Sequence, residues 1–115
     1  RGADGKPVPL WDGKTGKIDH TVAEHWKKYD LRMVLEKNWK TLGPRLRNKI
    51  HIWVGDADDY FLNNAVHLLD DFLSRADPAP GGYIRYGAGK GHTGMPISTY
   101  DLLTEMQDAY EKAAR

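Results

Sequence analysis

The feature that most constrains the fold is a short segment, residues 49–54, with two faces that both need to be covered. Its residues alternate, with Ile50, Ile52 and Val54 on one face and His51 and Trp53 on the other. This period of two predicts a β-strand. Because Trp53 is too large and apolar for open water, the second face should be buried as well, which is typical of an interior strand of a parallel sheet.

A helix and a second strand follow, and together they predict a β-α-β unit. Apolar residues recur at helical spacing between about positions 59 and 74, and the Pro/Gly-rich stretch 77–82 predicts a loop. Residues 83–86 then predict a second short strand. Strands joined by such a crossover run parallel, with a right-handed connection in nearly every case. We therefore expect an α/β fold with a β-α-β core over residues 49–86.

Three further helices complete the predicted architecture. Thr21 and Glu24 form a capping-box pattern for a short first helix. Asp30 is placed to cap a second helix, which Gly43-Pro44 should end. A capping pair at Ser98 and Asp101 predicts a final helix.

The start of the chain predicts a different kind of structure. Residues 1–19 are rich in Gly and Pro, which predicts an irregular arm that Leu10 and Trp11 pin to a neighbouring surface. The chain thus divides into residues 1–48, an arm with two helices, and residues 49–115, a β-α-β-α segment.

Composition excludes several classes of function. Of the 115 residues, 17 are Lys or Arg and 16 are Asp or Glu, so no basic excess indicates a nucleic-acid partner. The absence of cysteine excludes disulfides, thiolate catalysis and thiolate metal sites. No apolar run reaches the length of about 18 residues that predicts a membrane span. We expect no metal and no organic cofactor.

Two strands are too few for a stable sheet, since three or more, or equivalent cover, are usually needed. The chain also begins at Arg1, without an initiator methionine. We therefore expect the chain to be a piece of a longer protein. Further strands would come from a missing N-terminal segment, or from self-association through the open strand edges.

The loops after the two strands carry the candidate chemistry. The first contains Asp56, Asp58 and Asp59, and the second, residues 87–94, contains His92 among glycines. Adjacent strands lie about 4.8 Å apart, so a carboxylate at one strand end can reach an imidazole at the next. Such a pair fixes the imidazole tautomer for general-base catalysis. Alternatively, the aspartates cap the following helix and His92 is an ordinary loop residue.

Two other motifs resemble known ligand-binding patterns but lack some of the residues that those patterns require. Residues 89–94 match the letters of a dinucleotide-binding fingerprint, but too few residues follow for a strand with the ribose-binding acid. The aspartates at 56, 58 and 59 hint at calcium, but Phe61 and His67 stand where an EF-hand has Gly and Glu.

The ordered set strand, Gly55-x-x-Asp58, helix, strand, Gly89-x-Gly91-His92, helix resembles the C-terminal part of an α/β-hydrolase. Within that superfamily, residues 49–62 are similar to the bacterial putative-esterase branch, kin of feruloyl and enterochelin esterases. The resemblance covers about residues 49–113 and implies that the first 45 residues are an inserted or cap-like stretch.

The resemblance implies a serine esterase whose triad acid is Asp58 and whose histidine is His92, with Asp56 and Asp59 as rival acids. It also implies a small ester substrate and a secreted or periplasmic location. The chain lacks a Gly-x-Ser-x-Gly elbow, and its only serines are Ser74 and Ser98. We therefore expect the nucleophile upstream and the chain alone to be inactive. The alternative is a non-catalytic α/β interaction module that self-associates or binds a partner chain.

Overall fold

The fold is known from a computed structural model, which describes residues 2–94 and 97–113. The elements in chain order are α1 (His20–Trp26), a 3₁₀ turn (Lys27–Tyr29), α2 (Leu31–Leu46), β1 (His51–Gly55), α3 (Leu62–Leu73), β2 (Tyr83–Gly87) and α4 (Thr99–Ala113). Helices are mixed with a small parallel sheet of two strands, so the α/β class is confirmed in this general sense.

The sheet ends in register at its carboxyl edge, and this alignment places the candidate loops side by side. His51 lies opposite Tyr83, and Gly55 lies opposite Gly87. The predicted parallel β-α-β unit is therefore present. β1 begins at His51, two residues later than the alternation predicts, although the Ile50 carbonyl still accepts a hydrogen bond from the Tyr83 N–H at 3.1 Å.

Helix α3 covers one face of the sheet through contacts with β2 side chains. The His67 ring stacks on the Tyr86 ring, with centroids 4.5 Å apart. The Tyr86 hydroxyl donates a hydrogen bond to Asp70 Oδ2 at 3.0 Å. Burial, this hydrogen bond and the negative charges of Asp70 and Asp71 raise the pKa of Tyr86 to about 12.

This raised pKa predicts that stability falls in strong alkali. The pKa of a tyrosine in the unfolded chain is about 10. The contribution of Tyr86 to the free energy of unfolding is therefore complete below about pH 10 and is lost as the pH rises towards 12. We expect the free energy of unfolding to fall by at most about 2 kcal/mol more in the native protein than in Tyr86→Phe. Chemical denaturation at pH 9 to 12 measures the difference. Tyr100→Phe, at an exposed position, is the control, and an equal slope in the native protein and Tyr86→Phe would contradict the prediction.

Helix α4 meets the other face of the sheet through a polar contact. The Tyr83 hydroxyl donates a hydrogen bond to the Glu105 carboxylate. The same carboxylate forms a salt bridge with Arg85, whose Nη1 lies 3.3 Å from Oε1. At the start of α4, Ser98 Oγ accepts the Asp101 N–H at 3.1 Å, so the predicted capping pair is confirmed. Helix α4 is thus held to β2 mainly by charged and hydroxyl groups.

Trp39 forms the centre of the packing between α2 and α3. Its side chain is buried, its ring meets Phe72 edge to face at 5.4 Å, and its Nε1 donates to the Pro78 carbonyl at 2.8 Å. The prediction that Gly43-Pro44 ends the helix is wrong, because α2 continues to Leu46. Gly43 lies under the Trp39 indole, where a Cβ would meet the ring at 2.7 Å. The helix continues through Pro44, although this residue has no backbone N–H to donate to the carbonyl one turn earlier.

The N-terminal third differs from its prediction at two points. The carboxylate of Asp19 accepts the N–H groups of Thr21 and Val22, so Asp19 caps α1 and the Thr21-Glu24 capping box is wrong. Trp11 is 57% exposed and forms an isolated antiparallel bridge with Ile18, so its side chain is not buried against another element of the described structure, whereas Leu10 is half-buried. The cap of α2 is confirmed, since Asp30 accepts the Met33 N–H at 3.0 Å.

The described part of the chain has a thin core. Its buried apolar side chains are Trp39, Val54 and Leu73. The radius of gyration is 17.8 Å, whereas a compact domain of this length has one of about 13 Å. Much apolar surface therefore stays open to solvent. No helix in residues 2–94 and 97–113 has the length and apolar character needed to cross a membrane.

Candidate functional site

The candidate site lies where β1 and β2 end together. We call residues 55–61 the acid loop and residues 87–94 the histidine loop. The two loops are joined along their backbones, because Asp56 N–H donates to the Gly87 carbonyl at 3.1 Å and Ala57 N–H donates to the Lys90 carbonyl at 3.0 Å. This contact extends the pairing of the strands beyond the sheet and aligns the side chains that follow.

Asp58 and His92 meet directly, in the arrangement that the strand ends predict. His92 Nδ1 lies 3.0 Å from Asp58 Oδ2. The other carboxylate oxygen, Oδ1, accepts the backbone N–H of Tyr60 at 2.7 Å. The Asp58 side chain is only 3% exposed, whereas that of His92 is 43% exposed. A buried carboxylate thus holds an imidazole that remains open to solvent.

Opposing effects set the ionisation of Asp58. Burial raises the pKa of its carboxyl, but the hydrogen bonds from His92 and the Tyr60 N–H, together with the charge of a protonated His92, outweigh burial. The pKa of Asp58 therefore lies below its usual value. Asp58 is a carboxylate at neutral pH and can orient an imidazole or stabilise an imidazolium.

The contact with Asp58 also sets the tautomer of His92. A carboxylate only accepts hydrogen bonds, so in neutral His92 the proton sits on Nδ1 and Nε2 carries the lone pair. Among the described residues Nε2 makes no hydrogen bond. The Tyr60 ring packs edge-on against the imidazole, with centroids 4.7 Å apart. With respect to the described residues, the geometry thus presents Nε2 as a proton acceptor.

The structure separates the three candidate acids. Of the three, only Asp58 forms a hydrogen bond with His92 among the described residues. Asp56 Oδ1 instead accepts the backbone N–H of Gly89 at 2.7 Å. Asp59 is exposed and makes no side-chain hydrogen bond in the described part of the chain. Helix α3 begins at Leu62 behind Phe61, which provides no side-chain cap, so the predicted helix start near residue 59 is wrong.

A close approach of the loops depends on Gly55. A Cβ at this position would lie 2.5 Å from the Gly91 carbonyl oxygen and closer still to that of Lys90. Real Cβ atoms are not found at such distances from backbone oxygens. Gly55 is therefore required for the acid loop to lie against the histidine loop.

Neither serine forms a hydrogen bond with His92 among the described residues, and both bond to other groups. Ser74 follows α3, and its hydroxyl donates to the Asp71 carbonyl at 3.0 Å. Ser98 donates to Asp101 Oδ2 at 2.6 Å while it caps α4. Among the described residues, no group of three or more His, Asp or Glu side chains converges as a metal site would require.

Sequence reasoning missed three features of the site. The hydrogen bond from Gly89 to Asp56 and the packing of Tyr60 on His92 depend on the exact register of two loops, which no local pattern specifies. Phe61 adopts a left-handed backbone conformation with φ 59°, which is unusual for an aromatic residue. The only available signal was Gly55, because a glycine at a strand end often marks a close backbone approach.

The comparisons with known proteins add no relative to this geometry. No protein-family model matches the sequence, and neither the curated proteins nor the solved structures yield a match.

Proposed function

We propose that this chain supplies the acid and the general base of a serine esterase, as the C-terminal part of an α/β-hydrolase fold. The observation that carries the proposal is the contact of 3.0 Å between buried Asp58 and exposed His92 at the carboxyl edge of a parallel sheet. Open α/β sheets place their chemistry at this edge. In the proposed enzyme the nucleophile comes from a polypeptide segment outside these 115 residues.

The proposed reaction is hydrolysis of a carboxylic ester through an acyl-enzyme. His92 Nε2 takes the proton of the serine hydroxyl while the serine oxygen attacks the ester carbonyl carbon. Collapse of the tetrahedral intermediate breaks the bond to the alcohol, which leaves with the proton from His92. Water then repeats both steps, so that the acid is released and the serine is restored. Asp58 stabilises the imidazolium formed in each half of the reaction.

The incomplete packing supports an additional segment. The backbone N–H and C=O groups of a parallel strand alternate between its two edges, so one edge of β1 remains open in the described part of the chain. β1 has apolar side chains on both faces, Ile52 and Val54 on one and Trp53 on the other, which is typical of an interior strand of a parallel sheet. The large radius of gyration and the thin core suit the same arrangement. The resemblance to secreted esterases adds a secreted or periplasmic location to the proposal.

A non-catalytic interaction module is the second candidate function. It is favoured by one observation, an apolar stripe on α4 whose residues are each at least 59% exposed: Leu103, Met106 and Tyr110. Such a stripe is a place for a second copy or a partner chain. In this case the Asp58–His92 contact only stabilises the two loops.

A fluorophosphonate probe tests the proposal on the full-length product of the gene that encodes this chain. The probe reacts covalently with an activated serine. We expect the native protein to be labelled at one serine, in a Gly-x-Ser-x-Gly sequence, as identified by mass spectrometry after proteolysis. Heat-denatured protein is the control and should not be labelled. A gene product without a labelled serine would overturn the esterase and favour the interaction module.

A further inference from the structure

We propose that Asp56 is a positioning residue that holds the histidine loop so that His92 meets Asp58. An effect of Asp56 on catalysis depends on the proposed function, but its effect on the structure of the loop does not. The two loops share only two hydrogen bonds that involve side chains among the described residues, namely Asp58 with His92 and Asp56 with Gly89. Asp56 is therefore the one side chain outside the dyad that joins the two loops by a hydrogen bond in the described structure, whereas Tyr60 only packs against the His92 ring.

The histidine loop needs such a tether because glycine gives it great conformational freedom. Gly87, Gly89, Gly91 and Gly94 lie within eight residues, and each glycine loses more backbone entropy on ordering than any other residue. Gly89 lies at the tip of the turn closed by the Lys90 N–H and the Gly87 carbonyl, with φ 64°. Fixing Gly89 thus fixes the turn that leads to His92.

The bond from Gly89 to Asp56 is suited to this task. Its N–H lies 2.7 Å from Asp56 Oδ1, and an ionised acceptor makes the hydrogen bond stronger than a neutral pair. The backbone of Asp56 is itself fixed, because its carbonyl accepts Asn63 Nδ2 at 2.8 Å, from the first turn of α3. Asp56 therefore connects the first turn of α3 to a loop that is rich in glycine.

The structure excludes the two other roles that the sequence allows for Asp56, namely the acid of the dyad and the cap of α3. It does not contact His92 among the described residues, so it is not the acid of the dyad. The residue at the N-cap of α3 is Phe61, so Asp56 is not the cap of that helix. Its carboxylate is instead directed at the loop that carries the base.

Two substitutions test the role in the protein itself. Asp56→Ala removes the acceptor, whereas Asp56→Asn keeps an oxygen at Oδ1 that can still accept from Gly89. In proton NMR spectra, we expect the low-field Nδ1–H resonance of His92 to be present in the native protein and Asp56→Asn and lost in Asp56→Ala. The Gly89 amide should exchange faster with deuterium in Asp56→Ala alone. Asp59→Ala, in the same loop, is the control and should keep the native resonance.

Kinetics on the full-length gene product then test the catalytic meaning. We expect Asp56→Ala to lower kcat by about 100-fold with KM little changed, because a displacement of about 1 Å at a catalytic group can have this effect. Asp56→Asn should restore most of kcat. If no esterase activity exists, the proposed function fails while the NMR result still decides the role of Asp56.

Retention of the Nδ1–H resonance in a folded Asp56→Ala protein would overturn the tether. Its loss in a folded Asp56→Asn protein would do the same, since the acceptor is retained there. Should Asp56→Ala not fold, Asp56→Ser replaces it, because its shorter side chain cannot reach the Gly89 amide, and the same loss of the resonance is expected.

Discussion

Replacing His92 with alanine is expected to lower kcat/KM for ester hydrolysis by about 10⁶-fold in the full-length gene product, since the base of a triad acts as a unit with its nucleophile. The loss should appear in kcat, because proton transfer from the serine belongs to the transition state. The fold should persist, because the His92 side chain is 43% exposed and contacts only Asp58 and Tyr60 by side-chain interactions in the described structure.

A matched control and a second variant sharpen this expectation. His20→Ala removes an exposed imidazole from the start of α1 and should leave kcat/KM unchanged. Asp58→Asn keeps the shape of the acid but offers His92 an amide, which favours the wrong tautomer and should also lower kcat by about 10⁴-fold. Initial rates with a p-nitrophenyl ester and circular dichroism measure activity and fold in parallel. Near-native turnover in a folded His92→Ala protein would remove His92 from the mechanism.

The β-α-β unit could be predicted because local pattern and topology agree there. The alternation over residues 49–54 and the helical spacing after residue 59 each identify one element without reference to the rest of the chain. A helix between two strands then makes them parallel, which brings their carboxyl ends to one edge. The contact between Asp58 and His92, 34 residues apart, follows from that topology.

The predictions from sequence are wrong where contacts between distant residues determine the local structure. Gly43-Pro44 reads as a helix end, yet Trp39 packs over Gly43 while its indole N–H bonds to the Pro78 carbonyl, 39 residues further on. This tertiary contact stabilises the last turn of α2 and outweighs the weak local preference. The hydrogen bond from Gly89 to Asp56 also joins residues that are distant in sequence. It could not be predicted, because glycine-rich loops have no periodicity that specifies how they align.

The cap of α1 shows a smaller kind of error. Asp19 and Thr21 are both good N-cap residues, and the capping-box pattern with Glu24 favours Thr21. The carboxylate of Asp19 accepts two backbone N–H groups, those of Thr21 and Val22, and the helix starts one residue before Thr21. The two candidates lie two residues apart and have similar intrinsic preference for the cap. The one that caps the helix satisfies two of the free N–H groups, a property that the sequence pattern alone does not specify.

Replacing Gly55 with alanine is expected to destabilise the protein by more than about 3 kcal/mol, at the upper end of the range for overpacked sites. The new Cβ would lie 2.5 Å from the Gly91 carbonyl oxygen and against that of Lys90. Both obstacles are backbone atoms, so a change of rotamer cannot relieve the clash. The loops must separate, which breaks the hydrogen bond from Ala57 to the Lys90 carbonyl and moves His92 away from Asp58.

Gly13→Ala is the matched control, because a Cβ at Gly13 meets nothing within 4 Å. We expect its free energy of unfolding to stay within about 0.5 kcal/mol of the native value, as for surface substitutions generally. Urea denaturation compares the two variants, and the Nδ1–H resonance of His92 should be lost in Gly55→Ala and retained in Gly13→Ala. Equal denaturation midpoints would show that the acid and histidine loops do not lie in contact at Gly55. Because the approach of these loops brings Asp58 to His92, that result would also remove the geometric support for the proposed general base.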